Sequence, residues 1–333
     1  MLAALETILA GGVLSRDEAR GVMHAMLEPG LPTERIGAFL AALRLRGEAV
    51  DEVVGFVEAL RERAVASARP RPECIDVCGT GGDGLGTFNV STTVAFVVAA
   101  AGQPIAKHGN RAVSSKCGSF DVLDALGVGY ASDPRGVDQQ IDRFGLGFLF
   151  APAFHPTLKA LGQVRRNLGF YTVFNMLGPL LNPVGAKRQL IGVFRDSALE
   201  LVAEALVELG ADNAWVVRGH DGLDEMSVTG ATTVVRASKS GVERTTMLPE
   251  DAGLGRSSID SLRGGDAKDN AAILVRVLEG DPGGPGDVVL LNAGAALQVA
   301  GKAGDVKTGV AMAREAIDSG KARELLKRMQ AAR

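Results

Sequence analysis

The sequence is short of cysteine, of any excess of one charge, and of long apolar runs. Three cysteines, Cys74, Cys78 and Cys117, make no disulfide framework. No nearby histidine or further cysteine completes a zinc site with Cys74 and Cys78, so all three read as buried thiols or loop residues. A formal charge of -3, from 36 basic and 39 acidic residues, supplies no general field for nucleic acid or an anionic membrane. Any anion site must therefore be local. The apolar run around Val94 to Ala101 falls far short of the ~20 residues that span a bilayer. MLAALETILAGG at the start lacks a basic flank and carries Glu6, so it reads as a first helix rather than a secretion signal; the expected location is cytoplasmic. What is abundant is glycine, 43 of 333 residues, within a chain that is 46% hydrophobic and long enough for one large or two unequal domains.

The first seventy or so residues read as helical. Ser15 and Glu18 have capping-box spacing, Thr33 can cap the next helix, and Ile36, Phe39, Leu40 and Leu43 share one of its faces before Gly47 ends it. Val53, Phe56, Val57 and Leu60 repeat the pattern. ASARPRP, from Ala66 to Pro72, suits a linker. After it the texture changes: CIDVC predicts a strand, VSTTVAFVVAAAG a buried helix and PIAKH a second strand, which together make a parallel unit. AWVVR from Ala214 and DVVLL from Asp287 are expected to be a third and a fourth strand, and DPGGPGD before the last is expected to be a flexible connection.

GTGGDGLGTFNVST, Gly79 to Thr92, lies between the first strand and its helix. It contains G-x-G-x-x-G, but the helix starts too late, near Ser91, and the second strand ends in Lys107 and His108 rather than the acid a nicotinamide cofactor needs. A triphosphate loop is excluded because Thr87 stands where the lysine belongs. Successive glycines still turn backbone N–H groups into one concavity, and the helix adds its positive end, so a phosphate or diphosphate fits. Asp83 opposes an anion unless a divalent cation reverses the sign. A plain strand-to-helix turn is the alternative.

Two further clusters open on the same sheet edge, and a third is marked by its helix angle alone. AKHGNRAVSSKCGSFD gathers Lys107, His108, Asn110, Arg111, Ser114, Ser115, Lys116 and Ser119; Ser119 can also cap the helix that follows. RGHDGLDEMS brings Asp224 and Glu225 to the end of AWVVR, and adjacent carboxylates suit Mg²⁺, which keeps waters and bridges phosphates. In HPTLKALGQVRRNLG, Pro156 suits a first helical turn and Gly169 an exit. Arg165 falls within the apolar arc of Leu158, Leu161, Val164 and Leu168, while Arg166 points away. A guanidinium so placed needs an anion, either a core carboxylate or a ligand carboxylate held bidentately. His155 is open to two readings, a catalytic base or a packing residue.

These motifs, with FNMLGPLLNP, the late NAGAAL and IGAFLAALRLRGEAVDEV, resemble the anthranilate phosphoribosyltransferases, in order and over nearly the whole chain. The resemblance implies an α/β fold: a small α-helical N-terminal domain hinged to a larger α/β domain with a mainly parallel central sheet, of nucleoside phosphorylase/phosphoribosyltransferase type. Residues 1–70 with 153–184 would form the helical domain, and 71–152 with 185–333 the larger one. It implies transfer of the 5-phosphoribosyl group from phosphoribosyl diphosphate to the amine of anthranilate, a step of tryptophan biosynthesis, with Mg²⁺ at two ions per subunit, in a homodimer. Donor contacts would come from Gly79, Gly82, Asp83, Thr87, Asn89, Val90, Ser91, Thr92, Lys107, His108, Gly109, Asn110, Arg111, Ala112, Val113, Ser114, Ser115 and Ser119. Gly79, Asn110 and Arg165 would hold the acceptor, and Ser91, Asp224 and Glu225 the metal; no general acid or base is assigned. Two departures bear on the donor side: Cys117 stands where the family has serine, and Phe120, where it has a small residue, either crowds the phosphate loop or packs under it. A pyrimidine nucleoside phosphorylase would share the fold without needing the acid pair or Arg165, and a nucleic-acid-binding relative should carry a basic stripe and degraded donor loops, whereas this chain has net acidity and intact loops.

Overall fold

The computed structural model of the protein describes residues 1–112 and 116–332. Four helices come first: Leu2–Leu9, Arg16–Leu27, Thr33–Arg46 and Val50–Glu62. The capping box is present, with Ser15 N–H donating to Glu18 at 2.9 Å and Glu18 N–H to the Ser15 hydroxyl at 3.3 Å. Thr33 does not cap. Helical bonding begins one residue earlier, with Arg35 and Ile36 N–H both donating to Pro32 C=O, which puts Thr33 inside the first turn. The apolar faces are the expected ones, and Gly47, at φ +91°, ends the third helix. Residues 66–72 are irregular but anchored: the buried Arg71 donates to Asp138 and to Asp142, both at 2.8 Å.

Among the described residues seven strands form one sheet: β1 Ile75–Gly79, β2 Ile105–Gly109, β3 Leu146–Phe150, β4 Arg188–Gly192, β5 Asn213–Gly219, β6 Thr232–Ser238 and β7 Gly241–Met247. Their order is β3-β2-β1-β4-β5-β6-β7; the first five are parallel, and β6 and β7 are antiparallel additions. The unit of strand, helix and strand is β1, helix Val90–Ala100 and β2. From β1 the chain winds outward to β2 and β3, then returns to the other side of β1 as β4. The switch between β1 and β4 opens a crevice at the strands' C-terminal ends. Each of β1, β2, β4 and β5 ends there in a glycine.

DVVLL is not a strand. It lies within helix Gly284–Val299, which is buried without interruption from Val288 to Leu297 and apolar there except at Asn292. A helix enclosed on all sides has no amphipathic period, so its apolar run is indistinguishable from a central strand. The DPGGPGD connection is correspondingly shorter than expected, because the helix starts at Gly284. The helix expected from Pro156 to Leu168 is divided into a 3₁₀ turn, Pro156–Leu161, and an α-helix, Gly162–Leu168; Gly169 leaves it at φ +65°.

One apolar cluster runs from Ile8, Phe39 and Phe56 through Leu161, Val164 and Phe174 to Leu206, Ile191 and Val216. The N-terminal helices, the returning segment after β3 and one sheet face thus share a core. A second cluster, with Phe96, Phe148, Phe120, Trp215 and Leu290, covers the other face. Among the described residues no helix is long and apolar enough to cross a membrane.

Candidate active site

At the β1/β4 switch the ends of the two strands are in register, Gly79 opposite Gly192. Asp224, in the turn after β5, sits directly over both: a side chain at Gly79 would strike its carboxylate, and one at Gly192 its main chain. Asp224 Oδ2 accepts a hydrogen bond from Gly81 N–H at 2.7 Å, which joins the acidic turn to the glycine loop. Gly81, Gly82, Gly84 and Gly86 all have positive φ, from +66° to +89°, the backbone that a loop of inward N–H groups requires. Helix Val90–Ala100 begins at the end of this loop, one residue before Ser91.

The acids are electrically frustrated. Burial raises Asp224 well above the usual carboxylate range, and the charges of Glu225 and Asp83 raise it further. Glu225 is pushed up to about 7, mainly by burial, although Lys107 and a backbone hydrogen bond from Ser91 favour its charged form. Asp83 Oδ1 accepts from Leu85 N–H at 3.1 Å, while its buried Oδ2 has no hydrogen-bond partner among the described residues. Among the described residues no three His, Cys, Asp or Glu side chains are already gathered as a metal cage. Three neighbouring acids, one of them with an orphaned oxygen, fit a divalent cation that completes its shell with water and ligand oxygens.

Lys107 is buried at the centre, its Nζ donating to Val77 C=O at 2.6 Å and to Ser91 Oγ at 3.1 Å. His108 is not the second cation that the strand end suggested. Its ring is buried, Nδ1 lies 3.3 Å from Gly178 C=O, and burial, reinforced by His155, pushes its pKa down to about 3. Alternation along β2 sends Lys107 and His108 to opposite faces, so only one can meet the glycine loop. His155 is a packing residue: its Nε2 lies 2.9 Å from Leu181 C=O, its ring is 5.3 Å from that of His108, and burial lowers its pKa.

The other expected donor residues divide by what they already touch. Asn89 acts as a staple, its Oδ1 accepting from Asn270 at 2.9 Å and its Nδ2 donating to Cys117 C=O at 3.3 Å. Val90 and Thr92 have buried side chains, and Thr92 Oγ1 is without a partner. Thr87 bridges to Arg263. Ser119 does not cap its helix; Gly118 holds that position, and the Ser119 hydroxyl donates instead to Asn110 C=O at 3.1 Å. Asp121 holds the same turn by accepting from Ala112 and Gly118 N–H at 2.8 and 2.9 Å. A Cβ at Gly109 would strike Ser119 Oγ and displace that hydroxyl. Asn110 is exposed, and Arg111 is paired with Asp124 at 2.6 Å and Asp121 at 3.2 Å. Val113, Ser114 and Ser115 lie outside the described residues.

Arg165 is half-buried, and its guanidinium lies 5.4 Å from the centre of the Phe174 ring. Burial lowers its pKa, and no charge from an acid offsets that. Among the described residues Arg165 has no ion pair with a core carboxylate, which one reading required. Arg166 is exposed, as its helix angle implied. Phe120 packs under the loop after β2, with its ring centre 4.7 Å from Tyr130 and 4.8 Å from Phe150. Cys117 Sγ lies 3.4 Å from Asn89 Oδ1, which makes it part of the staple.

Sequence reasoning missed Tyr171. It stands against Gly82, donates to Gly81 C=O at 3.3 Å and stacks on Phe194 at 4.3 Å. No local pattern marks it, because its neighbours belong to distant segments. Gly192 was missed for the same reason.

Two family models of glycosyl transferases match the chain, a helical bundle domain at residues 2–64 and an a/b domain at residues 71–323. An anthranilate phosphoribosyltransferase of Anaeromyxobacter dehalogenans is 51% identical over 329 residues, covering 99% of this chain and 97% of its own length. The crystal structure of the Thermus thermophilus enzyme of that name superposes with a TM-score of 0.91 at 44% identity, covering 98% of both chains. The Saccharomyces cerevisiae enzyme, in complex with PRPP and Mg, gives a TM-score of 0.89 at 28% identity, covering 100% of this chain and 98% of that one. Matched over nearly its full length, the chain belongs to the anthranilate phosphoribosyltransferase family.

Proposed function

We infer that the glycine loop, Lys107 and the loop after β2 hold phosphoribosyl diphosphate, and that Asp224 and Glu225, with Ser91, hold Mg²⁺ against its diphosphate. The reaction is that of the family, transfer of the 5-phosphoribosyl group to the amine of anthranilate in tryptophan biosynthesis. The observation that carries the assignment is the hydrogen bond from Gly81 N–H to Asp224, which makes the anion loop and the acid pair two walls of one site. An acid pair against an anion loop makes sense when a cation and an anion arrive together. Arg165, lacking a carboxylate partner, receives that of anthranilate, with Gly79 and Asn110 beside it.

In the transfer the amine nitrogen attacks C1 of the ribose while the C1–O bond breaks, and diphosphate departs with the electron pair. Positive charge grows on the ring and negative charge on the leaving group. Lys107 and the loop N–H groups stabilise the latter, and the protein holds the amine in line. Bound Mg²⁺ supplies further positive charge at the diphosphate. A neutral aromatic amine needs no strong base to attack, and the two buried imidazoles are engaged elsewhere. The amine proton passes to solvent after attack.

The division into a helical domain, 1–70 with 153–184, hinged to the remainder belongs to the same reading, as do two metal ions per subunit and a cytoplasmic homodimer. Supporting the dimer, Leu2, Leu9, Val13 and Leu45 expose their apolar side chains, Leu45 at 90%, on the first and third helices and the turn after the first. Diphosphate release from phosphoribosyl diphosphate tests the reaction. It should require both anthranilate and Mg²⁺. Release that ignores anthranilate, or phosphorolysis of thymidine or uridine, overturns the reading.

A further inference from the structure

The NAGAAL stretch, Asn292 to Leu297, is distant in sequence from every site residue and lies in a helix, Gly284–Val299, that is buried on all sides. Two of its residues have specific work. Gly294 allows helix Val306–Asp318 to cross against it, since a Cβ would meet Val310 and the Val306 carbonyl. Asn292 is the sole polar side chain among the buried residues from Val288 to Leu297, and it is 0% exposed. Its Oδ1 accepts from Met226 N–H at 2.9 Å, and its Nδ2 donates to Met226 C=O at 2.9 Å and to Val288 C=O at 2.8 Å. The last bond, four residues back on its own helix, fixes the rotamer. The first two grip both backbone groups of the residue that follows Glu225.

We propose that Asn292 is a positioning residue for the metal-bearing acids: its carboxamide clamps the main chain at Met226 and so aims Asp224 and Glu225 at the glycine loop. The aim needs such a clamp. Asp224 is half-buried and Glu225 buried, and Asp224 reaches the Gly81 N–H at 2.7 Å, a contact that holds only while the main chain at the next two residues stays in place. Within the turn Asp221 already accepts from Leu223 N–H at 3.0 Å and from Ser227 and Thr229 hydroxyls at 2.6 Å, which shapes the turn but does not fix it to the rest of the domain. Asn292 ties it to the largest buried helix. Groups behind a metal ligand that set its direction typically change metal affinity 10–100-fold when removed.

The proposal rests on the reading of Asp224 and Glu225 as metal ligands, so the test separates the two. Mn²⁺ is titrated into the full-length enzyme with phosphoribosyl diphosphate, and binding is followed by water-proton relaxation. Asp224→Asn should abolish the tight ion, and Asn292→Ala should weaken it about tenfold or more, with kcat at saturating metal within about threefold of wild type. Leu290→Ala, a core truncation in the same helix, should lower Tm and leave Mn²⁺ affinity unchanged. If Asn292→Ala does not fold, Asn292→Asp, which keeps the acceptor for Met226 N–H and loses the donor to Met226 C=O, carries the same expectation. Loss of the ion in Asp224→Asn together with wild-type affinity in the Asn292 variant overturns the clamp alone, as does equal weakening by Leu290→Ala. Wild-type affinity in Asp224→Asn overturns the site reading and the clamp with it.

Discussion

Asp224 takes the Gly81 N–H at 2.7 Å, although the two residues are 143 positions apart and belong to turns that leave different strands. A carboxylate that takes one of the loop's main-chain donors occupies part of the place an anion wants. Without a cation it competes with the diphosphate; with one it becomes a ligand and leaves the remaining donors to the anion. Metal and donor should therefore bind synergistically. In calorimetry, donor affinity is expected to rise at least about tenfold on adding Mg²⁺, and Asp224→Asn should remove that dependence. Equal donor affinity with and without the ion counts against the arrangement.

The raised acids predict an unusual pH dependence of the metal-free protein. Glu225 titrates at about 7 in the folded chain, against an ordinary value of 4.5. Between those values the folded state binds the extra proton, so this group's contribution to stability is present below about 4.5 and is lost as pH rises through about 7. Glu225→Gln should consequently exceed wild type in stability at pH 8, by roughly 1–3 kcal/mol, and lose the advantage by about pH 5. Denaturant titration at the two pH values measures it, and an advantage that grows toward acid would be the wrong sign.

Arg165 stacks on Phe174 without a carboxylate to neutralise it. Arg165→Ala should raise the KM for anthranilate on the order of a hundredfold while leaving that for phosphoribosyl diphosphate within about threefold. Equal effects on both would falsify its acceptor role.

Gly82 has φ +89° and lies against the Tyr171 side chain, so substitution there is opposed twice. Gly82→Ala is expected to weaken donor binding by about tenfold or more, through ~1–2 kcal/mol of left-handed backbone strain and displacement of Tyr171. Tyr171→Phe, made alongside, relieves part of the second effect and none of the first. Donor KM in the single and double variants distinguishes the two contributions.

At Cys117 the thiol already plays the part of a hydroxyl, lying 3.4 Å from Asn89 Oδ1. Cys117→Ser should change donor KM by no more than about threefold, a net hydrogen-bond difference of ~0.5 kcal/mol. Phe120→Ala, by contrast, empties the space among Tyr130 and Phe150 and is expected to cost about 3–5 kcal/mol of stability. Thermal unfolding and steady-state kinetics on the two variants should therefore give opposite patterns.

By itself the sequence determined the local chemistry. The Ser15 capping box, the apolar faces of the early helices, the unit from Ile75 to Gly109 and the positive-φ glycine loop all follow from interactions among near neighbours, and such interactions are written in spacing. The contrast between Arg165 and Arg166 was legible too, since both lie in the Gly162–Leu168 helix, where a helix angle turns one inward and the other out. Only the tertiary structure decided the rest. DVVLL is helical, which its own pattern could not show because enclosure erases the amphipathic period, and His108 became neutral because strand alternation turned it away from Lys107 into a buried contact with Gly178. Tyr171 against Gly82, Gly192 beneath Asp224 and Asn292 behind Met226 are pairings of residues far apart along the chain. Each depends on where the fold's long-range packing brings two segments, and no spacing within either segment carries that information.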